Sequence, residues 1–259
     1  MLTHPPYNPE DLGEQPPGPD FPRLLQAQRQ ERYPDPPPFY QLLFDGKLKS
    51  EDLQLWAKNH YFYWEPMLQF STGAIYIKSN DEATRARLIR KQVCIEGRQI
   101  VADIVGWNTP AYEELWLRFG EGLGLKREEI LDWKVFTRSY FAHCTLAMCS
   151  RSWEWTWLDG VAAVHAYDLT ARDWMKQAGE ALKQHYGVAD QHLEVFRVVS
   201  SDSTEDIPWE EELLSYWPCT KERQLTAARA FRYRLDIEYQ YLLPLHLAVT
   251  TEAMPFQVP

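Results

Sequence analysis

Long apolar runs and an excess of basic residues are both missing from this 259-residue sequence. No stretch approaches the roughly 18 consecutive apolar residues of a membrane-spanning helix, and the N-terminus lacks the basic and apolar regions of a signal peptide. The formal net charge of −10 argues against sequence-independent binding of nucleic acid, which requires clustered Lys and Arg. We therefore expect a soluble protein of the cytoplasm that binds neither membranes nor nucleic acid.

Cysteine is scarce and irregularly spaced. The four thiols, at Cys94, Cys144, Cys149 and Cys219, include no Cys-x-x-Cys pair. Neither a zinc site nor a disulfide framework is indicated by this spacing, so we expect reduced thiols. Aromatic residues are abundant instead, with 11 Trp, 14 Tyr and 11 Phe, and they can wall a pocket for a flat organic molecule as readily as fill a core.

The prolines divide the chain into two parts. Eleven of the 18 fall within residues 1–38, and proline both fixes φ and removes a backbone donor. We predict a Pro-rich arm over residues 1–37, with one short helix from about Asp20 to Tyr33, followed by a helical domain over residues 38–252. Beyond Pro38 the apolar residues have helical periodicity, which predicts an all-α fold. Predicted helices cover about 38–45, 50–79, 81–105, 110–122, 126–150, 154–186, 190–217 and 220–250, with kinks at Pro208 and Pro244.

The predicted helix over residues 50–79 carries ionisable groups among large aromatics. Its middle reads KNHYFYWEPMLQF and includes His60 and Tyr63, and the next helix ends in QVCIEG, which adds Glu96 to an apolar run. Ionisable groups are costly to bury without partners, so two neighbouring helices that both carry them predict a reactive pocket inside a bundle. His60 and Tyr63 are i, i+3 neighbours suited to proton transfer or substrate orientation. The alternative is that both simply pack in the core.

Two further pairs have the spacing of metal ligands on a helix. His165 and Asp168, like Asp202 and Glu205, are separated by three residues. Bundles hold iron or manganese with carboxylate and imidazole groups at this spacing on facing helices. Together with Glu96, these residues form a candidate dinuclear iron or manganese site. The structural alternatives are a solvated helix face at SSDSTED and a satisfied core histidine at position 165.

Four segments resemble the pyrroloquinoline-quinone synthase (PqqC/TenA) family. They read GKLKSEDLQLWAKNHYFYWEPM, SNDEATRARLIRKQVCIEG, YEELWLRFGEGLGL and SYWPCTKERQLTAARAFRYRLDIEYQYLLPL. The resemblance implies a heme-oxygenase-like helical bundle of about seven core helices and a homodimer. The same superfamily includes TenA-type thiaminases and heme-oxygenase-like diiron oxidases.

Comparison with the quinone synthases implies several substrate contacts. Asn59-His60-Tyr61 stands where that family has Asn-Arg-Tyr, and Trp64 replaces a Gln of its active site. Arg234 matches a basic residue that faces the substrate. The resemblance thus implies that Tyr61, Trp64 and Arg234 contact a substrate.

Comparison with the diiron oxidases implies a different set of residues. Glu96 matches the first Glu ligand, while Tyr112 stands at the first His and is assigned to the substrate pocket. On a later helix, Val198, Asp202 and Glu205 stand where His, Asp and His would be. The pattern is rich in acids and short of imidazole, and we assign Glu96, Asp202 and Glu205 as acidic catalytic groups of the pocket.

These observations predict an oxidoreductase, of the oxidase or oxygenase type, acting on a small aromatic or amino-acid-derived metabolite in a cofactor or specialised-metabolite pathway. Its cofactor is either dinuclear iron or none, because family members that need no metal use His, Tyr and Arg to move protons while O2 takes electrons from the substrate. One alternative is a catalytically degenerate bundle that serves as a binding or carrier protein, which the missing family histidines suggest. Another is a TenA-like hydrolase, which needs Cys144 or Cys149 as a nucleophile facing the pocket.

Overall fold

The computed structural model describes residues 17–96, 110–152, 155–251 and 254–258, without the side chains of residues 64–71, 94–96, 143, 147, 150 and 151. Over these ranges the chain is helical and forms no strand, which confirms the all-α prediction. The helices are α1 (Asp20–Arg32), α2 (Pro38–Phe44), α3 (Ser50–Lys78), α4 (Glu82–Glu96), α5 (Tyr112–Gly122), α6 (Arg127–Leu131), α7 (Thr137–Arg151), α8 (Trp157–Tyr186), α9 (Glu194–Tyr216) and α10 (Lys221–Thr250), with a 3-10 turn at Asp190–His192 between α8 and α9.

The central helix, α8, has clear signals at both ends. The hydroxyl of Thr156 accepts from the backbone N–H of Asp159, and the Asp159 carboxylate accepts from the backbone N–H of Thr156 at 2.7 Å. This reciprocal capping box starts the helix at Trp157, three residues after the predicted start. Gly187, with φ of 67°, ends it in the left-handed conformation that glycine adopts without strain.

The predicted helix over 126–150 is split, which corrects that prediction. Residues 132–136 leave the helix because their backbone groups bond elsewhere: Phe136 N–H donates to Asn59 Oδ1 at 3.0 Å in the core, and Val135 C=O accepts from Val258 N–H at 2.9 Å. Tertiary hydrogen bonds thus override helical periodicity here. Pro208 and Pro244 lie inside α9 and α10, which continue through them, and the predicted kinks stay predictions.

Helix α8 packs between α9 and α10 and also contacts α2 and α3. Every residue from Trp157 to Ala171 is buried, so this half of the helix has no solvent-facing side. Polar side chains within it must therefore find partners inside the protein. Within the described ranges, no helix combines the length and apolar character needed to cross a bilayer, and the cellular location stays a prediction.

Helix α1 lies inside the predicted Pro-rich arm and packs on α9 and α10. Phe21 and Leu25 are buried against these helices. Ion pairs hold its outer face, with Arg29 Nη2 3.1 Å from Asp173 and Arg32 Nε 2.6 Å from Asp236. The division of the chain at residue 37 stays a prediction.

Candidate functional site

A lysine–carboxylate cluster lies between α4, α8 and α9 and consists of Lys91, Asp168, Asp206 and Glu210. Lys91 Nζ donates to Asp168 Oδ2 and, at 2.9 Å, to Asp206 Oδ2, and it lies 4.0 Å from Glu210 Oε1. Ser203 Oγ donates to Asp168 Oδ1 at 2.8 Å. Asp168 and Glu210 are fully buried, whereas the Asp206 side chain is 14% exposed.

Helical spacing brings this cluster together. On α9, Ser203, Asp206 and Glu210 occupy positions i, i+3 and i+7, which share one face. On α4, Lys91 follows the buried Leu88 by three residues and so lies on the inward face of that helix. A residue with a long cationic side chain on an apolar face needs internal carboxylates, and α8 and α9 supply them.

One ammonium faces three carboxyl groups in this cluster. Burial raises the pKa of Asp168 well above its usual range, against the attraction of Lys91. Burial also raises the pKa of Glu210 to about 7, again opposed by Lys91. Although burial disfavours the charge of Lys91, attraction by the three carboxylates raises its pKa well above its ordinary value. Lys91 therefore stays charged near neutral pH, while burial favours the protonated forms of Asp168 and Glu210.

His165 extends the cluster along α8. Its Nδ1 lies 3.0 Å from Glu210 Oε2, and both side chains are fully buried. Burial lowers the pKa of His165 to about 4, although attraction by Glu211 opposes this. A neutral imidazole thus lies at hydrogen-bond distance from a carboxyl group that titrates near neutral pH. The pair can take up and release a proton inside the bundle.

A second group, the tyrosine–arginine cluster, consists of Tyr63 of α3, Tyr167 of α8, and Arg234 and Glu238 of α10. Tyr63 Oη donates to Glu238 Oε1 at 2.6 Å and accepts from Arg234 Nη2, which itself lies 2.5 Å from the same Glu238 oxygen. The guanidinium carbon of Arg234 lies 5.0 Å from the centre of the Tyr167 ring. All four residues are buried.

Two donors in this cluster are left over. Within the described part of the chain, Arg234 Nη1 and Tyr167 Oη are buried and have no hydrogen-bond partner. Burial raises the pKa of the Tyr167 phenol well above its usual range, so it stays a donor. Burial disfavours the charge of Arg234, but attraction by Glu238 raises its pKa. Because an unsatisfied buried donor costs about 1–3 kcal/mol, these two groups favour a bound acceptor beside them.

His60 forms an aromatic wall beside Tyr63. Its ring stacks on Tyr63 with centres 4.7 Å apart and packs on Trp116 at 4.5 Å and on Tyr241 at 5.4 Å. Tyr241 is held in turn by its Oη, which donates to Asn59 C=O at 3.0 Å. His60 is buried, so α3 presents the predicted His60–Tyr63 pair to the interior.

Tyr167 joins the two clusters. It precedes Asp168 in α8. Burial has the largest effect on the pKa of its phenol and raises it, and the nearby charges of Asp168 and Glu238 raise it further. Lys91 and Arg234 act on it in the opposite sense. Tyr167 is therefore under the electrostatic influence of both clusters.

A profile of the TENA/THI-4/PQQC family matches residues 27–244. The chain belongs to this family. A pyrroloquinoline-quinone synthase from Acinetobacter baumannii (strain AYE) is 24% identical over 221 residues, which cover 85% of this chain and 83% of the relative. Another relative, from Acinetobacter baylyi, carries the same name and is 25% identical over 221 residues, covering 85% of this chain and 82% of its own length.

Solved structures show the heme-oxygenase-like fold. A domain of unknown function with that fold from Shewanella denitrificans has a TM-score of 0.63 and 13% identity, covering 87% of this chain and 88% of its own. A TenA homolog from Pseudomonas syringae pv. tomato also has a TM-score of 0.63 and 13% identity, covering 95% and 98%. The expected resemblance to the PqqC/TenA family is confirmed.

Two acidic residues predicted for the TENA/THI-4/PQQC pocket, Asp202 and Glu205, have different surroundings on α9. Asp202 is half-buried, lies one turn of helix before Asp206, and its Oδ2 accepts from Tyr112 Oη at 2.7 Å. The Glu205 side chain is 53% exposed and pairs with Arg90 at 2.5 Å. The predicted roles of both residues stay predictions. Successive helix residues are turned by about 100°, so the face that carries Asp206 cannot also carry Glu205.

The structure gives little information on the predicted roles of three other residues, Trp64, Glu96 and Tyr61. Trp64 and Glu96 belong to α3 and α4, but their side chains lie outside the described residues, and their roles stay predictions. Tyr61 is half-buried and packs edge-on against Phe62 with ring centres 5.4 Å apart. Its predicted substrate contact also stays a prediction.

The predicted dinuclear metal site does not match the arrangement of its donors. In the described ranges, no three His, Cys, Asp or Glu side chains are placed to hold a metal ion together. Asp168 bonds Lys91, Asp202 bonds Tyr112, and Glu205 faces the surface. His165 shares the interior with Asp168 but contacts Glu210. The described members of the set therefore do not fit a dinuclear centre.

The described cysteines are not among the residues that form the two clusters. Cys144 is half-buried beside Tyr140, which is 45% exposed. Cys149 lies near Tyr233, which is 41% exposed, and Cys219 is itself exposed. The predicted hydrolase alternative, with Cys144 or Cys149 as the nucleophile, stays a prediction.

Sequence reasoning missed five residues of the two clusters. They are Lys91, Tyr167, Asp206, Glu210 and Glu238. Two local signals could have identified some of them: Lys91 interrupts the inward face of α4, and Glu238 follows Arg234 at i+4 in an aromatic helix.

Proposed function

We propose that the protein is an oxidase related to the pyrroloquinoline-quinone synthases and that its substrate, a small aromatic acid or amino-acid-derived metabolite, binds in the tyrosine–arginine cluster. The observation that carries this proposal is the pair of buried, unsatisfied donors on Arg234 and Tyr167. A guanidinium beside phenols suits a carboxylate or a quinone-type oxygen on a flat ring. The aromatic side chains packed around His60 would give the site an apolar wall.

In the proposed reaction the substrate loses two electrons and two protons, and O2 takes up both to form H2O2. Arg234 and Tyr167 would hold the substrate oxygen, and Tyr63, hydrogen-bonded to both Arg234 and Glu238, would fix their orientation. The Glu210 carboxyl, with a pKa of about 7, would exchange a proton with the site near neutral pH.

The donor set supports the cofactor-free form of this oxidase over the dinuclear iron form. Asp168 and Asp206 are both paired with Lys91, and Glu205 lies at the surface. A substrate that passes electrons to O2 directly needs positioning and proton transfer, and the clusters supply groups for both. The homodimer and the cytoplasmic location stay predictions.

Oxygen uptake with reduced pyrroloquinoline quinone as the probe tests the proposal, alongside a panel of dihydroxyphenyl acids. The wild-type protein should accelerate O2 consumption above the protein-free rate and form one H2O2 per quinone. Arg234→Met should lose at least about tenfold of this rate, since a buried charge-assisted contact is worth about 1.5–3 kcal/mol. Arg229→Met removes an exposed arginine from the same helix and should leave the rate unchanged.

Two results would contradict the oxidase. Equal rates with wild-type protein and without protein, across the whole panel, would exclude turnover of these substrates. Quenching of tryptophan fluorescence by the same compounds without O2 consumption would instead support the carrier alternative. A rate that Arg229→Met and Arg234→Met reduce equally would show that the loss is not specific to the cluster.

A further inference from the structure

The ammonium of Lys91 is surrounded by the kind of donors that bind divalent metals. Asp168, Asp206 and Glu210 face it from two helices, and the His165 imidazole contacts Glu210. Three carboxylates and an imidazole from neighbouring helices are a typical donor set for Mn2+ or Fe2+ in bundles. Here the three carboxyl groups surround the side chain of Lys91, and the imidazole lies beyond them, against Glu210.

The distances are those of an ion pair. Asp206 Oδ2 lies 2.9 Å from Lys91 Nζ and Glu210 Oε1 lies at 4.0 Å. Carboxylate oxygens lie closer to a metal, at about 2.0–2.2 Å. The oxygens are therefore spaced for an ammonium and not for a metal ion. Glu210 Oε1, which is buried and has no hydrogen-bond partner among the described residues, is the oxygen farthest from Lys91 Nζ and would have to move farthest to reach a smaller ion.

The charge balance points the same way. Lys91 supplies one positive charge to three buried or nearly buried carboxyl groups. A divalent ion would neutralise more of them, whereas the tethered ammonium is always present and cannot dissociate. Buried carboxylates without any cation would be strongly unfavourable.

We propose that Lys91 is a covalently tethered substitute for a metal ion: its ammonium fills the cation site of the lysine–carboxylate cluster and keeps divalent metals out, and removal of its side chain opens that site to a metal. An ordinary structural ion pair would also be weakened by loss of Lys91. Only a filled cation site predicts that a bound metal ion restores the positive charge and the stability that are lost with the Lys91 ammonium.

Binding of MnCl2 to the metal-free protein tests this proposal. Lys91→Ala should bind about one equivalent of Mn2+ by electron paramagnetic resonance, at least about tenfold more tightly than wild type. Its melting temperature should rise with Mn2+, while that of the wild type should not. The matched control is Arg90→Ala, which removes a neighbouring cation whose side chain is 42% exposed and should gain no site. Asp168→Asn added to Lys91→Ala should remove the bound Mn2+.

Several outcomes would overturn the proposal. One is that the wild-type protein binds one equivalent of Mn2+ and that Asp168→Asn abolishes this binding. Another is that folded Lys91→Ala binds Mn2+ no more tightly than wild type. The third is that Arg90→Ala gains as much Mn2+ affinity as Lys91→Ala. Circular dichroism checks folding, and Lys91→Ala that folds only with Mn2+ supports the proposal. If it folds under neither condition, Lys91→Gln keeps the stem and should show the same gain, and its failure to bind would refute the idea. These measurements need no substrate, so they are independent of the oxidase assay.

Discussion

Folding moves a proton within the pair formed by His165 and Glu210. In the unfolded chain at pH 5.5, the imidazole is protonated and the carboxyl is ionised, because their ordinary pKa values are 6.5 and 4.5. In the folded protein burial lowers the pKa of His165 to about 4 and raises that of Glu210 to about 7. The same proton then lies on the carboxyl.

The two changes have opposite effects on stability. His165 contributes stability above pH 6.5, and this is lost as the pH falls towards 4, since the unfolded chain binds the extra proton. Glu210 contributes stability below pH 4.5, and this is lost as the pH rises through 7. Each change corresponds to about 3 kcal/mol. Between pH 4.5 and 6.5 they should cancel in the wild type.

Single substitutions should uncover each effect. The free energy of unfolding of Glu210→Gln, measured by urea titration and compared with wild type, should rise by about 1.4 kcal/mol per pH unit up to pH 6.5. That of His165→Gln should fall by a similar amount per unit. Between pH 5.0 and 6.5 the two variants should diverge by about 4 kcal/mol. The contributions of other titrating groups to the pH dependence of unfolding cancel, because each variant is compared with wild type.

Curves for both variants that run parallel to the wild type would refute this reasoning. They would show that the folded pair holds its proton on the imidazole, as an ordinary ion pair does. A slope of the same sign in both variants would mean that a group outside the pair controls the titration.

Two further predictions concern packing and hydrogen bonding. Gly160→Ala should lower the free energy of unfolding by about 1–2 kcal/mol, because a Cβ at that position would lie 2.3 Å from Ile75 Cγ1. Gly73→Ala in α3 should raise the free energy of unfolding by about 0.5–1 kcal/mol, because a Cβ there would meet no atom within 4 Å. Urea titration of the pair measures both, and equal effects would contradict the packing argument. Tyr112→Phe should cost about 1 kcal/mol by leaving the half-buried Asp202 without its phenol donor, and an unchanged unfolding midpoint would show that water replaces it.

The fold could be predicted well because helical periodicity and capping signals are local. Ser50 begins α3 as predicted, and helix α1 forms between the two proline clusters. The break between α6 and α7 could not be predicted, because it depends on Asn59 and on the C-terminal tail, which are distant in sequence.

The site could be predicted only in part. The inward positions of His60, Tyr63 and Arg234 follow from aromatic helices and from the family resemblance. Of the acidic residues predicted on α9, Asp202 is half-buried whereas Glu205 is exposed, since SSDSTED offers acids at several angles and local sequence does not say which face meets α8. The role of Lys91 depends on three carboxylates from other helices, and no spacing within α4 reveals them.

Helix α1 has a practical consequence for expression of shortened proteins. A protein that begins at Pro38, where composition changes, would uncover the apolar surface that Phe21 and Leu25 occupy, at a cost of about 1.5–3 kcal/mol for each side chain. It would also remove Arg32, the ion-pair partner of Asp236, which lies on α10 two residues from Arg234 and two from Glu238. A truncation designed by composition alone would therefore remove the external support of the helix that carries Arg234.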